Sequence, residues 1–227
     1  MRTLFFFGFF LLSATAILVA VKISQKTEEK CIAVVYDSSR NITGVKKIFE
    51  QFPDFQKVMI EMSTYSSGEL ERCQASFIVN SEFDNQVPKR LIEDYLKSKR
   101  RVVWMGYNIW TLGDQLTRKL GLRYMGSFSK VSFDRCRYFY KGLSNRCTEA
   151  GLSMHPETIP TNELQIQIMA ETRIRERELT PYLVRSQNLY YLADVNFGNV
   201  FQEFLGEFVG SPPRNKLIHL QTVAGPG

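Results

Sequence analysis

The residues that could catalyse a reaction or hold a metal are few and scattered in this chain. It has two histidines, His155 and His219, and four cysteines without a Cys-x-x-Cys spacing. Neither histidine has an evident serine or cysteine partner that it could activate as a base, and the sequence around His155 predicts a surface turn. The pattern therefore predicts no metal site, no cofactor and no catalytic nucleophile.

Loops after predicted strands are where a ligand could bind, because ligands of open parallel sheets lie beyond the carboxyl ends of the strands. The first such loop, residues 37–44, precedes a predicted helix and resembles a flavodoxin phosphate loop. An ordinary helix N-cap is the alternative interpretation. The candidate ligand-binding residues of this loop are Asp37, Ser38, Ser39 and Asn41.

The second loop places Tyr107 and Asn108 directly after Gly106. Amidotransferase-like and hydrolase folds carry a Cys or Ser nucleophile at this place, and neither Tyr nor Asn can be activated in the same way. The two residues could instead stack on a sugar and hydrogen-bond to it; the alternative is a turn with a buried aromatic ring. The third loop, residues 81–84, offers two carboxylates but no demonstrable acid and base pair.

The apolar pattern of residues 32–122 predicts short parallel strands covered by helices on both faces. This indicates an α/β fold of flavodoxin-like or Rossmann-like type over residues 31–126. An antiparallel β-rich extension and a closing helix of the same domain are expected over residues 127–210, with a loosely ordered tail at 211–227. Predicted strands are 32–36, 57–61, 76–80, 102–105, 130–141, 164–172, 181–185 and 189–192, and predicted helices are 44–52, 88–97, 110–120 and 197–209.

Composition and charge agree with one globular domain and do not indicate nucleic acid as a partner. The 227 residues are 44% hydrophobic, which is enough for one well-buried core. The net charge is +6, but the basic residues are interspersed with 23 acidic ones. The one dense basic run, residues 97–101, is interpreted as the solvated carboxyl end of a helix.

Residues 4–21 carry no charge, and as a helix they would extend about 27 Å, close to the ~30 Å hydrocarbon core of a bilayer. Residues 1–22 are therefore predicted to be a signal peptide or a membrane anchor, and residues 23–30 a linker. Contact with a membrane is expected through residues 4–21. The flanking charges leave the orientation open; export is preferred, with the body in the periplasm or at the cell surface.

The cysteines are candidates for disulfides. Cys31 opens the first predicted strand and Cys73 precedes the third, and such strands are commonly neighbours in a parallel sheet, so the two could lie within bonding distance. Cys136 and Cys147 bracket a predicted strand and turn and could form a second bridge. Four reduced, mostly buried thiols are the alternative.

Two segments resemble the leading, non-catalytic domain of a bacterial polysaccharide-deacetylase-like family of unknown function. They are VVWMGYNIW at residues 102–110 and PYLVRSQNLYYLAD at residues 181–194, in the order that this family has. The resemblance covers residues 31–209 and implies a Rossmann-like or amidotransferase-like domain, which a metal-dependent catalytic domain would normally follow. The strand expected to open that domain corresponds to residues 218–223, where His219, Gln221 and Thr222 replace Arg, Glu and a metal-binding Asp.

A neutral Thr hydroxyl cannot supply the charge of a carboxylate to a metal, so the resemblance implies that the catalytic half is missing. We expect an exported or membrane-anchored, non-catalytic module of the cell envelope that binds carbohydrate such as exopolysaccharide or assembles with an envelope protein. One alternative is a truncated or split polysaccharide deacetylase or carbohydrate hydrolase that needs a partner chain. A second alternative is a flavodoxin-like cofactor binder.

Overall fold

The computed structural model describes residues 30–38, 42–127, 137–146, 152–156, 166–174, 178–193, 195 and 198–210. The residues from Cys31 onward belong to one unit of the chain. Predictions for residues 1–22, for the tail at 211–227, and for Ser39, Asn41, Cys136, Cys147 and His219 fall outside the described residues.

The described chain combines a large mixed sheet with helices and a small antiparallel sheet, so the predicted α/β class is confirmed. The strands are β1 (Cys31–Tyr36), β2 (Gln56–Glu61), β3 (Ala75–Asn80), β4 (Arg101–Gly106), β5 (Leu122–Ser127), β6 (Arg137–Tyr140), β7 (Leu143–Arg146), β8 (Leu152–Pro156), β9 (Ile166–Ile174), β10 (Glu178–Ser186) and β11 (Leu189–Leu192). The helices are α1 (Ile42–Glu50), α2 (Lys89–Lys97), α3 (Asp114–Leu120) and α4 (Asn199–Val209).

The large sheet has the strand order β2-β1-β3-β4-β11-β10-β9-β6-β7, and β5 pairs with β8 in the small sheet. The strands β2, β1, β3, β4 and β11 run parallel to one another. From β11 outward, each strand is antiparallel to its neighbour. The prediction of an antiparallel extension is therefore correct for β9 and β10 but incomplete for β11, which also joins the parallel part beside β4.

Burial explains why these segments are strands. Every residue of β3 is buried, and all of β1 except Tyr36, as expected for central strands with both faces covered. The strand β2 lies at the edge of the sheet and exposes most of its residues.

Two helices cover opposite faces of the parallel part. Phe77 of β3 and Tyr190 of β11 lie in one row across the sheet and contact Phe208 of α4, with ring centroids 5.0 Å apart in both pairs. Trp104 and Tyr191 lie in the adjacent row, and Trp104 contacts Tyr95 of α2. Side chains alternate between faces along a strand, and because both faces are covered, both Tyr190 and Tyr191 are buried.

Three local predictions need correction. The predicted helix at 110–120 is interrupted at Gly113, where a positive φ of 53° separates a 3₁₀ turn, Ile109–Leu112, from α3. His155 lies in β8 rather than in a turn. The basic run begins at Lys97, in the last turn of α2 as predicted, but Arg101 lies on β4 and donates to the carbonyl oxygen of Phe208 (2.9 Å) near the carboxyl end of α4.

A disulfide joins Cys31 at the start of β1 to Cys73 just before β3, with a Cα–Cα distance of 4.8 Å. The two strands are neighbours in the sheet, which brings the cysteines together as the sequence suggested. Both residues are buried.

The prediction that residues 4–21 contact a membrane is corrected, because none of the helices in the described part of the chain is long and apolar enough to cross a bilayer. Even the 11-residue helix α4 extends only about 16 Å, roughly half of the hydrocarbon thickness. Residues 4–21 themselves lie outside the described residues.

Candidate functional site

The carboxyl ends of β1, β3 and β4 meet at one edge of the sheet and carry the loops that the sequence singled out. Register places Tyr36 beside Val79 and Asn80 beside Gly106, so the loops that follow these strands are adjacent. In a parallel sheet this edge is the usual place for a ligand.

Asp37, predicted to bind a ligand, bonds instead to the loop that follows β3. Its Oδ2 accepts hydrogen bonds from the backbone N–H groups of Ser81 and Glu82, each at 2.8 Å. Its Oδ1 accepts from the hydroxyl of Ser81 at 2.7 Å. Both carboxylate oxygens are therefore occupied within the protein. Ser38, the next candidate, is half-buried beside it.

Gly106 and Asn108 shape the loop after β4. Gly106 has a φ of 79°, and a Cβ atom there would lie 2.2 Å from the carbonyl oxygen of Asn80. That oxygen accepts a hydrogen bond from the N–H of Tyr107 at 2.9 Å, so the loop is held close to β3. Asn108 is fully buried with a φ of 63°, and its Nδ2 donates to the carbonyl oxygen of Glu82 at 2.9 Å.

Four rings form an aromatic cluster at this edge: Phe83, Tyr107, Trp110 and Tyr124. The centroid of the Phe83 ring lies 5.6 Å from that of Tyr107 and 5.1 Å from that of Trp110. Trp110 stacks on Tyr124 at 4.9 Å. Phe83 is 57% exposed, whereas the other three rings are half-buried. Burial also raises the pKa of Tyr124, so its hydroxyl stays neutral.

The same edge contains buried amide atoms without a protein partner. Among the described residues, they are Nδ2 and Oδ1 of Asn80 and Oδ1 of Asn108. The orientation of the Asn108 amide follows from its bond to Glu82, because an oxygen in place of Nδ2 would face another acceptor. Unpaired buried polar atoms are costly and commonly bond to ordered water or a ligand. A hydroxyl group suits these atoms because it can both donate and accept.

The described side chains contain no group of three or more His, Cys, Asp or Glu residues that could hold a metal ion. Tyr107 and Asn108 lie between β4 and the 3₁₀ turn Ile109–Leu112. Amidotransferase-like and hydrolase folds carry their nucleophile in a turn of this kind. The main-chain oxygen of Tyr107 accepts from the indole N–H of Trp104 at 2.8 Å, and that of Asn108 accepts from the hydroxyl of Thr111 at 2.6 Å. These bonds stabilise the turn itself.

The structure brings together some of the predicted residues and adds others. Asp37, Tyr107 and Asn108 surround one loop, whereas Ser39 and Asn41, on which the phosphate-loop interpretation depends, lie outside the described residues. Sequence reasoning missed Phe83, although an aromatic residue between two acidic residues in a loop is a detectable signal. It also missed Trp110 and Tyr124, whose contact depends on tertiary structure and has no local signal.

No family model and no curated protein matches this chain. Solved structures do match it. The chain resembles a GH42 β-galactosidase from G. stearothermophilus, with a TM-score of 0.54 and 14% identity over 82% of this chain and 31% of that protein. It resembles a β-galactosidase from the psychrophilic Marinomonas ef1 with a TM-score of 0.52 and 10% identity, over 89% of this chain and 34% of that one.

A third match is a putative ThuA-like protein from Bacteroides uniformis, with a TM-score of 0.51 and 12% identity over 82% of this chain and 93% of that one. The chain thus spans about a third of the length of the two β-galactosidases and nearly the whole of the ThuA-like protein. At such low identities these likenesses show the α/β fold and nothing about activity.

Proposed function

We propose that this chain is an exported, non-catalytic carbohydrate-binding module and that Phe83 is the ring on which the sugar stacks. The observation that carries this proposal is the combination of exposure and packing at Phe83: its ring is 57% exposed, yet it packs against Tyr107 and Trp110. An exposed ring on a rigid base offers apolar contact area with little ordering cost on binding. The apolar face of a pyranose ring suits such a surface.

The polar groups at the site support an uncharged or cationic sugar. The unpaired, buried amide atoms of Asn80 suit uncharged hydrogen-bonding groups, either ordered water or a hydroxyl group that displaces it. Glu82 and Asp84 flank Phe83 in the sequence, and their negative charge disfavours uronic acids. The expected order of affinity is therefore neutral oligosaccharides above acidic ones.

We also propose that the parallel part is flavodoxin-like or Rossmann-like and related to the leading domain of the polysaccharide-deacetylase-like family. The strand order β2-β1-β3-β4-β11 corresponds to the flavodoxin order 2-1-3-4-5, which supports the first statement. The two segments that carry the family resemblance lie on β4 and on β10 and β11, and β4 and β11 are neighbours in the sheet. The resemblance therefore concerns one continuous part of the fold.

Export is supported by the disulfide between Cys31 and Cys73, because structural disulfides persist in oxidising compartments such as the periplasm and the cell surface. The proposed location is therefore extracytoplasmic, where polysaccharides of the envelope are accessible.

Calorimetric titration with three probes tests the binding proposal: cellohexaose, chitohexaose and hexagalacturonic acid. Wild type is expected to bind at least one uncharged probe, and Phe83→Ala to weaken that binding about tenfold or more, equivalent to about 1.4 kcal/mol. Phe139→Ala is the matched control, since Phe139 is also an exposed phenylalanine (44%) but lies on β6. An equal effect of both variants, or no binding of any probe, would overturn the proposal.

A second candidate is a split enzyme whose metal-binding half belongs to a partner chain. It is favoured by the fact that this fold covers only about a third of each β-galactosidase. Zinc analysis and a deacetylase assay on chitohexaose separate the two candidates. The isolated chain is expected to show neither bound zinc nor turnover; one equivalent of zinc with turnover would contradict a non-catalytic module, and turnover only with an added partner would favour the split enzyme.

A further inference from the structure

We infer that Asp37 and Asn108 are positioning residues that hold Phe83 in its binding orientation without touching the sugar. This inference rests on the proposed function, because it assigns these two residues a role in the same site. It also changes the role expected from the sequence, in which both residues were candidates for direct contact with a ligand.

The two side chains bind the backbone N–H and the backbone carbonyl of Glu82, the residue before Phe83. The N–H of Glu82 donates to Oδ2 of Asp37 at 2.8 Å. The carbonyl oxygen of Glu82 accepts from Nδ2 of Asn108 at 2.9 Å. Asp37 follows β1, and Asn108 follows β4, so the loop after the intervening β3 is connected to both neighbouring strands.

The loop after β3 lies beyond the sheet, so side chains and not strand pairing hold it in place. Asn80 is the last residue of β3, and beyond it Ser81 and Glu82 use their N–H groups to bond to Asp37. Asp84 then reverses the chain with a φ of 59°. Phe83 thus lies between two residues that bond to Asp37, namely Ser81 and Glu82, and a turn at Asp84. This limits the freedom of its backbone. A binding group that is already ordered loses less entropy when the ligand arrives.

Asp37 is assigned a positioning role because both of its carboxylate oxygens already accept hydrogen bonds from the protein. Its two oxygens accept three hydrogen bonds from Ser81 and Glu82. Asp37→Asn would retain this pattern, since the amide oxygen can accept from both N–H groups while the NH₂ donates to the Ser81 hydroxyl. Asp37→Ala removes all three bonds.

A double-mutant cycle with cellohexaose and chitohexaose as probes tests the inference. Asp37→Ala is expected to raise the Kd about tenfold in the wild-type background and less than about twofold in a Phe83→Leu background, because the ring that it positions is then absent. Asp37→Asn is expected to restore the Kd to within about twofold of wild type. The loss of stability caused by Asp37→Ala, measured by urea unfolding, is expected to be the same in both backgrounds.

Equal loss of affinity in both backgrounds would overturn the inference, because it would mean that Asp37 contacts the sugar directly. An unchanged Kd in folded Asp37→Ala would overturn it as well. Amide hydrogen exchange of Glu82 supplies a readout that needs no sugar. Faster exchange in Asp37→Ala than in Asp37→Asn supports the positioning role of Asp37, and equal exchange contradicts it. If wild type bound neither probe while the exchange rates differed, the proposed function would fail, but the hydrogen bonds by which Asp37 holds the loop would stand.

Discussion

Gly106 is the residue on which the approach of the β4 loop to β3 depends. Its φ of 79° is unfavourable for other residues, and a Cβ there would lie 2.2 Å from the Asn80 carbonyl oxygen and 2.7 Å from Cγ2 of Val195. Because a backbone atom cannot move aside easily, substitution has to displace the loop that carries Tyr107 and Asn108.

We therefore expect Gly106→Ala to lower the free energy of unfolding by about 2–4 kcal/mol, as the sum of backbone strain and steric clash. Gly68→Ala is the control, because Gly68 has a similar φ of 86° but nothing within 4 Å of the added Cβ. That variant should lose only about 1 kcal/mol. Urea unfolding of both variants measures the difference; equal losses would show that the close approach to Asn80 is unimportant.

At the same scale, the sequence could indicate which loops form the site but not how their residues interact. Asp37 and Asn108 follow strands, and the position of a loop at a strand end can be read from the apolar pattern. Their bonds to Glu82 and the packing of Phe83 on Trp110 depend on which strands are neighbours. A single sequence does not contain that information for short loops.

Among the elements, the hairpin of β6 and β7 is connected to α4 through Glu207. The carboxylate accepts from the hydroxyl of Tyr140 at 2.6 Å and from Nζ of Lys141 at 2.5 Å. Partial burial alone would raise the pKa of Glu207, but the hydrogen bonds from Lys141 and Tyr140 outweigh it and hold the pKa below its usual value. Burial, followed by the bond to Glu207, raises the pKa of Tyr140.

A lowered folded-state pKa stabilises the protein above the unfolded pKa of about 4.3, and this contribution is lost as the pH falls through the folded pKa. Glu207→Gln should therefore reduce the free energy of unfolding at pH 7 by up to about 1 kcal/mol, a small value because the pair is partly exposed. The difference from wild type should disappear in acid. Urea unfolding at pH 7 and at progressively lower pH checks this, and a difference that grows with acidity would contradict the assigned pairing.

The elements also show where local patterns fail. The continuous apolar runs of β1 and β3 were predicted within one residue, because strands buried on both faces have an unmistakable composition. The segment at 110–120 has a helical pattern throughout, yet Gly113 adopts a positive φ and divides it. The parallel pairing of β11 with β4 is a tertiary choice that the alternation of β11 itself does not specify.

For the whole molecule, the disulfide connects the start of β1 to the segment before β3 across a sequence separation of 42 residues. Closing a loop of this size in the unfolded chain is worth at most about 4 kcal/mol in the chain-entropy model. Replacing both Cys31 and Cys73 by Ala should therefore lower the free energy of unfolding by up to about that amount.

Reductant provides the control for this prediction. Dithiothreitol should destabilise wild type, and it should have a smaller effect on the double variant, in which this bridge is absent. Urea unfolding of both proteins with and without reductant gives the comparison. An equal effect of reductant on both would show that the bridge between Cys31 and Cys73 contributes nothing to stability.

At the same scale, the fold by itself leaves the activity undefined, because similar structures occur both within β-galactosidases and as nearly the whole of a ThuA-like protein. The proposed binding site lies at one edge of the sheet, where an exposed Phe83 packs against Trp110. The indole of Trp110 is half-buried and 5.1 Å from the Phe83 ring, so it can report directly on a ligand at Phe83.

The most direct test is therefore a fluorescence titration of the protein with cellohexaose and chitohexaose, comparing wild type with Trp110→Phe. The second tryptophan, Trp104, is fully buried and remains as the internal reference. A saturable change in emission for wild type that is lost in Trp110→Phe is predicted. The absence of any change in wild type, or an identical change in both proteins, would contradict a sugar-binding site at Phe83.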